Sequence, residues 1–259
     1  MNSNPYTPPD APLDPPQPDY DGRLLPFEDR AGFPSLLGRI GATFRVFWTD
    51  TALAGEGLGL RADVGPAMVF YAMLGLPVAM AAGVAQTFFP IQPWFMSWMH
   101  APKPAVPTGT ALTLTLVGVL MAPLWIAVAF TLAGVFNHAG LWLVGGTRAK
   151  LGLSVTYRTL LYGAATLVVP VSLAELALNR LPGAFGTLGQ VISLGAQLGI
   201  FFYQGVIFAR AHRTDTWRGV LGLLMPILLA GLICGGCLAA LWFGGGEQFR
   251  EALQKALNN

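Results

Sequence analysis

Four polar side chains stand inside otherwise apolar stretches of this sequence, and they are the first candidates for chemistry. Gln190, Gln197 and Gln204 recur every seven residues, so on a helix they form one stripe with Ser193 beside it. Such a stripe either joins helices, at roughly 0.6 to 2 kcal/mol per hydrogen bond, or lines a polar conduit. Glu175 is the one ionisable residue within an apolar block, with Arg180 five residues further on. An acid in that position relays protons, stays protonated, or reaches for the nearby interface.

A second group lies at block ends. Asn137 and His138 close one block, and Arg210, His212 and Arg213 close another. If both ends lie on one side of a bilayer, these five form an edge cluster that binds anionic headgroups or a protein; the alternative is that the arginines only fix topology. Cys234 and Cys237 form C-G-G-C inside an apolar block. Two thiols without a histidine in the same block do not complete a zinc site, and low dielectric opposes thiolate formation, so they read as small packing residues. With only three histidines and no H-E-x-x-H, G-x-S-x-G or P-loop, neither catalysis nor a cofactor nor a metal is expected.

The elements that must position these residues are membrane helices. Apolar residues make up 54% of the chain and charged residues 11%, against about 25% charged in soluble domains. Five blocks, 66–89, 111–134, 160–178, 187–209 and 219–243, approach the ~20 residues that span hydrocarbon. The expected fold is therefore all-α, a five-span transmembrane bundle over 66–243. No charge occurs from Ala111 to Gly146, and the excess over one span reads as an interfacial extension ended by Gly145-Gly146. Residues 1–32, rich in proline, read as a disordered cytoplasmic tail, and 244–259 as a short external one.

Over 33–65, Phe33, Leu36, Leu37, Ile40, Phe44, Phe47 and Trp48 recur at helical spacing with Arg39 and Arg45. This predicts an amphipathic helix lying in the membrane surface or packed on the protein's own inner face. Arg148, Lys150, Arg158, Arg210, Arg213 and Arg218 flank alternate loops, against Lys103 and Arg180 in the others. That bias puts the amino terminus in the cytoplasm and the carboxyl terminus outside. The net charge of +2 is too small to support nucleic-acid binding. Small residues four apart, Gly75/Ala79/Gly83, Gly118/Ala122, Gly195/Gly199 and Gly231/Gly235, are the expected helix contacts.

Three pieces then stand in order around the blocks: Leu25-Pro26-Phe27-Glu28, Asn137-His138 with Leu141, Gly145 and Gly146, and Ala209 to Thr214 with Trp217-Arg218. Over roughly residues 25 to 243 the chain resembles the bacterial branch of the Yip-domain family. Eukaryotic Yip proteins have five spans and a cytosolic amino terminus, bind Rab-type GTPases, and help shape or traffic Golgi and ER vesicles. The resemblance implies a non-enzymatic membrane-organising or protein-binding scaffold in a bacterial inner membrane, partnered by the bilayer and by another protein or a second copy. The alternative is a small transporter or channel built on Gln190, Gln197, Gln204 and Glu175.

Overall fold

The computed structural model describes residues 24–88, 108–147, 151–178 and 184–244. Within them the chain is helical: α1 Leu36–Thr49, α2 Thr51–Gly59, α3 Gly65–Phe88, α4 Thr108–Leu143, α5 Leu153–Gly163, a π-helical turn Ala164–Val168, α6 Val169–Leu178, α7 Ala184–Ala211 and α8 Thr216–Gly244. Four stretches are long and apolar enough to cross a membrane, namely Gly65–Ala82, Thr115–Leu143, Leu153–Leu178 and Leu188–Ala211. In α8 the described apolar run covers Thr216–Leu229. The carboxyl-terminal tail and residues 1–23 lie outside the described residues, as do Arg148, Lys150, Lys103 and Arg180.

Packing is concentrated at one end of the helices. The most apolar part of α4 has no residue buried against the protein, whereas Leu25, Phe47, Leu58, Phe70, Tyr162 and Ile207 are almost fully enclosed in one core. This core is built where α1 and α2 fold over the ends of the long helices, here called the capped end. Apolar side chains further along have lipid as their solvent, so nothing drives them inward.

The cap corrects one expectation and selects one of the two readings of α1. Residues 24–32 do not belong to a disordered tail: Leu25 and Phe27 are buried, and the chain turns through Glu28 N and Asp29 N, both donating to Leu25 O. The apolar stripe of α1 faces the protein, with Phe47 enclosed and Ile40 and Phe44 packed against the core, so α1 is a lid on the bundle. Of its large apolar residues, Leu37 is the most exposed, at 81%. Asp50 ends α1 and starts α2, its amide donating to Val46 O and its carboxylate accepting from Leu53 N; one residue thus caps both helices.

Pro170 explains how α1 is held. Proline has no N–H, so Thr166 O loses the donor it would take in α-helical register, and a π-helical turn precedes the break. The indole of Trp48 donates to that carbonyl at 2.9 Å. A sequence-level break in one helix thereby becomes the anchor point of another.

Four of the glycines at four-residue spacing make no close helix contact, and other glycines do. Gly118, Gly195, Gly199 and Gly231 have nothing within 4 Å of where a Cβ would stand, so they face outward. A Cβ on Gly140 would meet Gly222 O at 2.5 Å, and one on Gly205 would meet Val220. At Gly219 an added Cβ would strike Gly205 O and the Ala209 backbone. Gly219→Ala should therefore cost about 1 to 3 kcal/mol by forcing α7 and α8 apart, read as a lower thermal midpoint in detergent. Gly195→Ala, on an open face, should leave that midpoint unchanged.

The chain from 108 to 143 is one continuous 36-residue helix, about 54 Å long, so the excess over one span continues the same helix. Its stop is as expected. Gly146 N donates to Leu141 O at 2.9 Å and Gly145 N to Trp142 O at 3.0 Å, with Gly145 at φ +69°, which is a Schellman closure.

Candidate functional site

The capped end gathers the polar residues. Starting from α5, Val155, Thr156, Arg158, Thr159 and Tyr162 are all buried, so this helix turns polar groups in two directions through a shared core. One direction reaches the amino-terminal segment and the other reaches α4 and α7.

Toward the amino-terminal segment, Arg158 Nη2 lies 2.7 Å from Glu28 Oε1, with both side chains fully buried. The same nitrogen donates to Gly57 O at 3.1 Å, and Nη1 donates to Asp63 O at 3.1 Å. Tyr162 donates to Glu28 Oε1 at 2.9 Å. One guanidinium thus ties together the amino-terminal turn, α2 and the start of α3. Glu28 Oε2 and Arg158 Nε have no hydrogen-bond partner, so the pair is not fully compensated. Phe27 is held beside it: its amide donates to Thr43 Oγ1 at 2.9 Å, and its ring stands edge-on to Phe70 at 4.8 Å.

Toward α4 and α7, Thr156 Oγ1 stands 3.1 Å from His138 Nδ1 and 2.9 Å from His212 Nε2. A hydroxyl has one proton and two lone pairs, so Thr156 donates to at most one of the two rings and accepts an N–H from at least one of them. His212 is fully buried, just past the end of α7, with its Nδ1 unpartnered and the Phe208 ring edge-on at 4.7 Å. Burial, and then the nearby His138, push His212 down to about 3. It is therefore a neutral structural link at physiological pH. Asn137 is buried as well, and its amide donates to Ala133 O one turn back.

The edge cluster read from the sequence is thus only partly assembled. His138 and His212 meet through Thr156. Arg210 is exposed, its stem covering Gly55 of α2. Arg213 adopts φ +54° at a second Schellman-type closure, with Thr214 N donating to Ala209 O at 2.9 Å, a conformation costing a non-glycine residue roughly 1 kcal/mol. Arg218 donates to Gly145 O at 2.8 Å, linking α8 to the end of α4. Among the described residues no group of three metal-ligating side chains forms.

The intramembrane polar residues behave differently from one another. Gln197 Nε2 donates to Glu175 Oε2 at 2.8 Å on an exposed face of α6 and α7, so these two join neighbouring helices. Gln204 lies over Gly163 of α5, Gln190 also has a partner, and Ser193 is buried without one for its hydroxyl. The side chains of Cys234 and Cys237 lie outside the described residues. Thr156, Tyr162 and Glu28 were not among the sequence candidates; the pairing of Glu28 with Arg158 crosses 130 residues and leaves no local signal. No family model, curated protein or solved structure matches this chain.

Proposed function

We propose that this chain is a Yip-like membrane scaffold that presents its capped end to a protein partner in the cytoplasm. The observation that carries the reading is convergence: the three sequence pieces that resemble the Yip-domain family meet at one end of the fold. Leu25 to Glu28 lock onto Arg158 and Gly57. His138 and His212 meet at Thr156, and Gly145 is tied to Arg218.

In this reading α8, 29 residues long and about 43 Å, is the fifth span, and the arginine-rich capped end faces a bacterial cytoplasm. The exposed Arg210 and the surface of α1 are then available to the partner. Transport is disfavoured because the Gln197–Glu175 pair faces outward from the bundle, where it joins helices rather than lining a path.

Cross-linking and co-purification from native membranes test this. A stoichiometric protein recovered with the wild type, and lost on Arg210→Glu, is the expected result. A solute or ion current from the purified chain in proteoliposomes, abolished by Gln197→Leu, would overturn it in favour of transport.

A further inference from the structure

We propose that the cleft between α3 and α4 seats one acyl chain of a phospholipid from the leaflet on the capped side. The cleft has a volume of about 430 Å³, inside the range of ~300 to 1,000 Å³ typical of small-ligand sites. Met68 and Leu76 form one wall, Pro123 and Ile126 the other, and Leu161 of α5 contributes to the lining. Two of its hydroxyls are already spent: Thr131 donates to Ala127 O at 2.8 Å and Tyr157 to Thr131 O at 3.0 Å. The occupant that such a lining favours is apolar.

Depth identifies the occupant. From Val64 to Leu76 the cleft follows twelve residues, about 18 Å of helix. Half of a ~30 Å hydrocarbon core is about 15 Å. The cleft begins at the start of the stretch Gly65–Ala82, which is apolar enough to cross a membrane, so it is one leaflet deep. Ala72 and Ala127 on its sides are exposed, which opens it laterally to lipid.

Size decides against a second copy of the chain. A helix about 10 Å across and 18 Å long occupies roughly 1,400 Å³, several times the space present, whereas a single hydrocarbon chain is slender enough to enter. At the shallow end Arg61 is exposed and within reach of a phosphate. Asp63, two residues on, keeps its negative charge while accepting from Gly65 N at 2.8 Å, so the hold on the headgroup is secondary to the acyl-chain cleft.

The test uses the full chain reconstituted in vesicles of phosphatidylethanolamine and phosphatidylglycerol, with a trace of phospholipid carrying a photoactivatable diazirine at mid-chain. After illumination, labelling should concentrate on residues 68–76 and 123–127, about tenfold above the outward-facing Leu120 and Leu132. Ala127→Trp and Ala72→Trp, which fill the cleft from opposite walls, should each remove that excess, and Leu120→Trp should leave it in place. Both alanines are exposed, so neither substitution threatens the fold, and an unchanged thermal midpoint checks this. Even labelling around α4, or an excess that survives both tryptophans, would reduce the cleft to ordinary annular lipid and overturn the proposal. Chain-to-chain cross-links between cleft residues would overturn it in favour of an interface.

Discussion

Replacing Glu28 by alanine should destabilise the chain by about 3 to 5 kcal/mol, the usual cost of leaving a buried charge without its partner. The guanidinium of Arg158 would remain enclosed with two carbonyls, Gly57 O and Asp63 O, and no counter-charge. The amino-terminal turn would lose its hold on α5, and with it the cover that Leu25 gives to Gly57 of α2. The measurement is thermal or denaturant unfolding in detergent micelles, with protease cleavage near residue 30 as a local readout.

The double variant Glu28→Gln with Arg158→Met separates the cost of an orphaned charge from the worth of the pair. It should recover most of the loss, because an apolar replacement removes the charge that would otherwise be stranded. Glu28 Oε2 and Arg158 Nε are already without partners, which adds to the reasons for expecting recovery. Equal destabilisation by the single and double variants would mean that the pair contributes through shape alone.

Acidification should loosen the same end of the molecule by a separate route. His212 is held at about 3 by burial and then by His138, whereas the unfolded ring titrates near 6.5. Between those values the unfolded state binds the proton and the folded state does not, so stability is complete above about pH 6.5 and falls as pH drops toward 3. The slope is about 1.4 kcal/mol per pH unit, or on the order of 2 kcal/mol between pH 7 and 5. Thermal midpoints in nanodiscs across that range measure it. His212→Gln keeps a polar group near Thr156 but cannot titrate, and should flatten the dependence. A wild-type midpoint unchanged from pH 7 to 5 would show that the ring is protonated in place, contrary to its enclosure.

These two expected effects arise from contacts of unequal legibility. Gly145-Gly146 was readable as a helix stop because a Schellman closure is local, made within six residues. His138 and His212 were readable as one cluster because both close apolar blocks that topology brings to one side. Thr156, which joins them, was not: a threonine in a helix is ordinary, and only the third helix shows that it bridges two rings.

The apolar blocks, the helical class and the Gly145-Gly146 stop were determined by the sequence alone, because composition, 3.6-residue periodicity and a glycine closure are local quantities. Periodicity also grouped Ile40, Phe44 and Phe47 on one face, but not what that face would meet. The tertiary structure decided that it covers the bundle, that Glu28 pairs with Arg158, and that Trp48 supplies the donor Pro170 lacks. It also decided that helices approach closely at Gly140, Gly205, Gly219 and Gly222 and not at Gly118, Gly195, Gly199 or Gly231. Each depends on which surfaces meet across the fold, and in a bilayer burial energy does not make that choice, since lipid covers an apolar face as well as protein does. The choice falls to a few buried polar partners and close backbone approaches, and these become visible only once the helices are placed.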